Sequence, residues 1–466
     1  MRSELYFRPT LSEAATITGG VAIGDSSTRL PALLTTHSEE VCPGDLFCAL
    51  PGQKQDGNHF LPRALLRGAG MLLCSTPPAI RTVPVLLAED AVAALHALAL
   101  HYRKSIGVRV VAVTGSVGKT TAKEAIAATL SSRYRVFRTP GNQNSNLGAP
   151  LALLAMPSQT QVAVMELGIS HPGEMAALSA LTRPDAVLLT RVGHAHIGAF
   201  GTQAAILREK LEVLRHAAEG APFLLPYENA AAAPPGARTF SVSAKEADYT
   251  LTHITEEEGR YTFTCLFHGE EIGRFTVQGY GYGALCAGLE SVAMGHFLKL
   301  DTADIARGLL DYTPPPGRTD VRRHDGICWI DDSYNASPES MENAMALLHD
   351  LPGERRCALL GDMLELGQDA QEAHRAAGRA FARAGGELLL VFGRHALRYA
   401  EGAARSGVKP ENIRILPANN PPERTAALVA RLCRPGDIWL CKASHAGRLD
   451  DVLHCLEHPG NAPGEE

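Results

Sequence analysis

Hydrophobic and polar positions follow two rhythms along this chain. Up to about residue 84, short apolar runs at 45–50, 70–74 and 83–87 are separated by turn pairs such as Pro43-Gly44 and Pro51-Gly52, which predicts a small mixed α/β unit. Asp90 then starts a helix, because Val92, Leu95, Leu98, Ala99 and Tyr102 recur at helical spacing through residues 91–104. That helix links the first unit to the second.

Residues 108–113 form a β-branched run that ends at Thr114-Gly115, and a helical pattern follows from 120 to 130. Apolar runs at 161–165 and 186–190 predict further buried strands of the same sheet. Residues 230–236 read as a loop, and period-two alternation through Tyr261, Phe263, Cys265 and Phe267 predicts a β insertion over 249–277, a subdomain of the same unit. Thr313-Pro-Pro-Pro-Gly317 stops any helix and marks a boundary. Beyond it, strands at 327–330, 356–360, 387–392 and 437–441 alternate with Ala-rich helical stretches, the pattern of a second doubly wound sheet. The tail 460–466 reads as mobile.

With 466 residues, 45% of them hydrophobic, the chain has material for two or three cores. Its 44 Lys and Arg against 50 Asp and Glu form no basic block, so nucleic acid is not the expected partner. No uninterrupted apolar run approaches the roughly 18 residues of a membrane span, and residues 1–10 carry Arg2, Glu4 and Arg8 with no apolar run behind them. A soluble, cytoplasmic protein without membrane insertion is expected. The ten cysteines include no Cys-x-x-Cys pair, and Cys328 sits inside an apolar run, so they read as reduced thiols.

The strongest local motif is Gly115-Ser116-Val117-Gly118-Lys119-Thr120-Thr121, where a strand meets a helix. Glycines let backbone amides approach phosphate oxygens, and the helix N-terminus adds positive dipole. Lys119 reaches the outer phosphates, and the Thr120 hydroxyl ligates magnesium. The Gly-x-x-Gly-Lys-Thr spacing is two residues shorter than the common phosphate loop, which sets it apart from ordinary GTPases. Downstream, Glu166 ends an apolar strand and stands where it would hold magnesium. His194 and His196 follow another strand. A histidine in such a loop is by itself usually solvated, and Lys210, in Ile206-Leu-Arg-Glu-Lys-Leu-Glu212, reads by itself as a surface residue of a charged helix.

These residues resemble the Mur ligase family, three-domain ATP-dependent enzymes that build the peptide stem of peptidoglycan. The resemblance spans most of the chain. It is carried by Pro43-Gly-Asp-Leu-Phe47, Asp56-Gly57, residues 114–123, Gly141-Asn-Gln-Asn144 with Gly148, and Met165-Glu-Leu-Gly168. Asp331-Asp-Ser-Tyr-Asn-Ala336 with Pro338, and Gly361-Asp-Met-Leu-Glu-Leu-Gly367, point to the branch that adds D-alanyl-D-alanine to UDP-N-acetylmuramoyl-tripeptide.

The resemblance implies a small N-terminal domain over 1–105 that binds the UDP precursor and includes the linker helix. It implies a central P-loop ATPase-like domain over 106–313 and a Rossmann-like C-terminal domain over 314–466 that binds the incoming amine. It implies ATP and Mg2+ as cofactors, a monomer, and a role in cell-wall synthesis, cell shape and division. Residues 115–121 would bind ATP. Glu166 and Thr120 would hold one magnesium. His196 would hold a second, with Lys210 carbamylated as an anionic ligand. Arg318 would reach the γ-phosphate and Asp332 the ribose, while Ser38, Asn142, Asn144, Tyr334 and Asn335 would bind substrate.

The chain departs from the family pattern at several places. Glu39 stands where an arginine is expected after Ser38, which leaves Arg29 as a substitute or implies a different first substrate. Gly281, Tyr282 and Leu285 replace a His and two Asn near the adenine, leaving Tyr280 or Tyr282 to stack on a purine. Ser145 and Arg191 each stand for an Asn. A paralogue joining another carboxylate and amine, and a non-catalytic nucleotide-binding relative, are the alternatives.

Overall fold

The computed structural model describes residues 2–52 and 55–458, so the tail expected to be mobile lies outside the described residues. Three sheets follow one another along the chain. The first orders its strands Arg2–Glu4, Leu33–Thr35, Leu46–Cys48, Met71–Cys74, Val85–Leu87 and Val21–Ile23, with parallel pairs inside and antiparallel edges. The helix Ala91–Ile106 is capped by Asp90, whose carboxylate accepts from the Val92 and Ala93 amides, and it ends at Gly107 with φ 65°. It buries Leu95, Leu98, Ala99 and Tyr102 as its spacing predicts, while Val92 is only half-buried.

The central sheet has nine strands. Arg109–Thr114 runs parallel between Val162–Glu166 and Ala186–Leu189, with Val113 opposite Glu166 and Thr114 opposite Leu189. Both faces of this strand are buried: Val110 and Ala112 join one apolar cluster, Val111 and Val113 the other. The register therefore brings Thr114, Glu166 and the residues after Leu189 to one carboxyl edge, where ligands of such sheets bind.

The three strands Tyr249–Glu257, Arg260–Phe267 and Glu270–Gln278 exist as predicted and, as expected, belong to the central unit rather than to a separate domain. Tyr249 pairs in parallel with Phe240, so the insertion extends the central sheet, and Phe263, Phe275 and Val277 share a core with Val111 and Ile126. The expected loop at 230–236 is corrected: Tyr227–Ala232 is a 3-10 helix, a conformation that a run of alanines adopts readily, and the turn begins only at the prolines.

The third sheet follows the triple proline, in the order Asp320–His324, Ile327–Asp332, Asp437–Lys442, Arg355–Leu360, Gly386–Val391 and Ile413–Ile415. All pairs are parallel except the first, a hairpin edge without an apolar run to announce it. All ten cysteines are unpaired. Among the described residues no helix is long and apolar enough to cross a membrane.

Candidate functional site

Central and C-terminal elements meet around a cleft of 430 Å³. The phosphate loop forms its floor. Gly115 and Gly118 hold positive φ (151° and 89°), and a Cβ on Gly115 would collide with the Thr190 hydroxyl. Thr190 Oγ1 donates to Val117 O (2.8 Å), and the Ser116 and Val117 amides donate to Arg191 O (2.8 and 3.1 Å), so the turn is pinned to the neighbouring strand. The helix Lys119–Ser131 then begins with no side-chain cap, which leaves its first amides and its dipole facing the cleft.

Lys119 Nζ donates back to Gly115 O at 3.0 Å. Burial lowers its pKa, and the Glu166 carboxylate partly offsets that. Glu166 accepts from Asn144 Nδ2 at 2.7 Å through one oxygen. Its other oxygen is buried without a hydrogen-bond partner and lies 3.9 Å from Lys123 Nζ. A buried, half-satisfied carboxylate facing a phosphate loop beside a threonine hydroxyl fits a magnesium ion.

Lys210 is 1% exposed, which overturns the surface reading that its helix alone suggests. Its Nζ donates to Gly115 O (2.7 Å), behind the loop rather than in the cleft lining. Burial, then the like charge of Lys119, hold its pKa well below the ordinary lysine value.

His194 is not simply solvated, because Nδ1 meets Glu339 Oε1 at 2.5 Å and its amide donates to the same oxygen. His196, at φ 65°, sets Nδ1 against the Glu365 carboxylate. Glu339 and Glu365 belong to the C-terminal unit, so both histidines close the contact between domains. Gly198 donates to Glu365 O (3.1 Å), an approach that its missing side chain permits. His196 lines the cleft while Lys210 contacts Gly115 O behind the loop, and among the described residues no group of three His, Cys, Asp or Glu is gathered to hold a metal.

From the C-terminal side, Arg318 stacks its guanidinium 4.1 Å above the Tyr334 ring. Asp332 accepts from the Thr319 amide (3.1 Å) and from Lys442 Nζ (2.5 Å), and Lys442 also donates to Asn335 O (2.7 Å). Burial lowers the Lys442 pKa, and Asp332 opposes that shift. Asn142, Asn144, Ser145, Tyr334 and Asn335 line the same cleft. Ser38 is buried and does not line it. Glu39 pairs with Arg63 at 2.8 Å, so its charge is answered locally. Arg29 donates to Arg8 O and lines a groove with Tyr6 and Glu13.

Sequence reasoning missed Lys442, Glu339 and the role of Glu365. Lys442 had a signal: a lysine ending an apolar run on the ligand-binding edge of a parallel sheet. The two glutamates had none, since each acts only through a histidine more than a hundred residues away.

The domain contact carries a pH expectation. Burial works against ionisation of Glu339, but the His194 hydrogen bonds carry its pKa below the ordinary 4.5, and the His196 contact lowers that of Glu365. Depressed carboxyl pKa values stabilise the closed form above pH 4.5 and lose that contribution as pH falls through the depressed values. X-ray scattering from about pH 7 to about pH 3 should show the radius of gyration rising at the acid end, and the rise should shrink in the Glu339→Gln, Glu365→Gln double variant. A radius indifferent to acid would remove these pairs as closing contacts.

Comparison with known proteins agrees with this geometry. Residues 113–284 match the Mur ligase middle domain, and residues 317–445 match the Mur ligase, glutamate ligase domain. The chain is 31% identical to the UDP-N-acetylmuramoyl-tripeptide–D-alanyl-D-alanine ligase of Bacillus subtilis (strain 168), over 91% of this chain and 92% of that one. It is 34% identical to the Escherichia coli (strain K12) ligase of the same name, over 84% and 88%. Among solved structures it resembles MurF from Acinetobacter baumannii (TM-score 0.84, 25% identity, 97% and 99% covered). It also resembles MurF ligase from Thermotoga maritima in complex with ADP (TM-score 0.77, 29% identity, 91% and 96% covered).

Proposed function

The chain belongs to the Mur ligase family, and from that premise we propose that it joins D-alanyl-D-alanine to UDP-N-acetylmuramoyl-tripeptide at the cost of ATP in peptidoglycan precursor synthesis. The observation that carries this reading is that one cleft gathers the phosphate loop and Glu166 from the central unit with Arg318, Asp332 and Lys442 from the C-terminal one. The units are taken as 1–105, 106–313 and 314–466, and the working compartment as the cytoplasm.

A carboxylate is a poor acyl donor. In the reaction an oxygen of the tripeptide carboxylate attacks the γ-phosphorus, the bond to the β-phosphate oxygen breaks, and ADP leaves. The amine of the dipeptide then attacks the acyl carbon, and the tetrahedral intermediate collapses with loss of phosphate. Lys119 and Arg318 neutralise charge that develops on the transferring group, and the amides that open the Lys119–Ser131 helix orient it. Closure of the C-terminal unit over the loop keeps water from the acyl phosphate. Glu166 and Thr120 would hold magnesium, which supplies charge neutralisation at the phosphates. Asn144 orients Glu166, and Lys442 holds Asp332 toward the cleft.

Lys210 is the residue taken to be carbamylated. Its lowered pKa favours the uncharged amine, whose nitrogen adds to the carbon of CO2 with release of a proton. The anion formed would turn its repulsion with Lys119 into attraction. Protein equilibrated with carbon-13 bicarbonate should show a carbamate resonance that Lys210→Arg lacks, and a spectrum without it would end this assignment.

The function itself is tested by phosphate release from ATP with magnesium. Release should require both the UDP-tripeptide and D-alanyl-D-alanine and yield the pentapeptide by mass. Turnover with a different carboxylate or amine only would favour a divergent paralogue, and binding without turnover a non-catalytic relative.

A further inference from the structure

A side cavity opens from the cleft beside the phosphate loop and shares Val117, Gly118, Thr121 and Tyr282 with it. The opening lies beside residues 116–121, within reach of the base of a nucleotide whose phosphates rest on that loop. Glu290 lies at this cavity, on the buried helix Gly281–Phe297. It is 4% exposed, and no hydrogen bond or ion pair reaches its carboxyl among the described residues. Leu285, by contrast, packs against the apolar core behind the helix. A buried carboxyl without a partner costs free energy that an apolar side chain would not, so its presence calls for a ligand.

We propose that Glu290 reads the purine base of the nucleotide, by accepting a hydrogen bond from the 6-amino group of adenine and donating one to the adjacent ring nitrogen. This rests on the ATP-dependent ligase reading above and assigns the base contact to a residue of this chain that its motifs do not mark. Three features of the cavity suit that role. Burial holds the Glu290 carboxyl well above the usual carboxylate range, so it keeps its proton and presents a donor and an acceptor side by side. The nearby Cys286 thiol is likewise held protonated, chiefly by burial. Tyr282 and Phe240 supply aromatic surface for a flat base.

The test is a binding cycle in the full-length protein, by calorimetric titration without the other two substrates. ATP and purine riboside triphosphate, which lacks the 6-amino group, are each titrated into the unaltered protein, Glu290→Ala and Glu290→Gln. In the unaltered protein ATP should bind about tenfold tighter than the analogue, the worth of one buried hydrogen bond. In Glu290→Ala the two should bind alike, while Glu290→Gln, which keeps a donor and an acceptor, should retain most of the preference. A purely structural role for Glu290 would weaken both nucleotides equally and leave the ratio intact, and that result overturns the proposal. If the unaltered protein binds neither nucleotide, the ATP reading falls first and this one with it.

Discussion

Arg318→Ala is expected to slow pentapeptide formation by about 10³-fold or more, the range seen when an arginine that meets a transferring phosphoryl group is removed. Arg318 follows the helix-breaking prolines and lines the cleft opposite the loop, so its charge is delivered by the C-terminal unit. Its guanidinium already rests on the Tyr334 ring at 4.1 Å, which limits the rotamer freedom lost when it engages phosphate. The loss should therefore fall on kcat more than on the KM for ATP. Arg318→Lys should recover little, because an ammonium neither stacks as a plane nor forms two parallel hydrogen bonds. Steady-state phosphate release checks both variants, and a loss under about tenfold for Arg318→Ala would remove the residue from phosphoryl transfer.

Lys119→Ala should cost about 10²–10³-fold in kcat, since it deletes a preorganised cation from a site closed to water. A second consequence distinguishes this lysine from a surface one. Lys119 is one of the two causes that hold the Lys210 pKa down. Its removal should raise that pKa while burial still keeps it below the ordinary value. The pH dependence of Lys210 acylation by a small anhydride, read by peptide mass, should then move to higher pH. Intact amide synthesis at saturating ATP in Lys119→Ala would defeat the mechanism, and an unmoved labelling profile would show that the two lysines do not interact.

How much of this could be read in advance follows the range of the forces involved. Strand, turn and helix at residues 109–131 are written locally: β-branched residues on both faces, two glycines where φ turns positive, then helix formers. The same holds for Asp90 as a cap and for the strands Val162–Glu166 and Asp437–Lys442. Glu166, Thr120, Arg318, Asp332, Asn142, Asn144, Tyr334 and Asn335 all line the cleft where the motifs implied they would meet. The short strands Arg2–Glu4 and Asp320–His324 escaped notice because three to five residues of mixed polarity leave no periodic trace. The β insertion was recognised as strands but not as part of the main sheet, since pairing of Tyr249 with Phe240 is a long-range choice of edge.

By itself, then, the sequence determined the identity of the elements, the phosphate loop and the chemical groups available to it, because backbone preference and side-chain chemistry act within a few residues. The tertiary structure alone decided which of those groups face one another. It set Lys210 behind the loop at Gly115 rather than on a solvated helix face, set His194 and His196 against Glu339 and Glu365, paired Asp332 with Lys442, and left Glu290 unpartnered in the cavity beside the phosphate loop. The physical reason is that burial and charge pairing depend on distances between elements, which arise only when three sheets pack together, and these in turn set each group's protonation and partners.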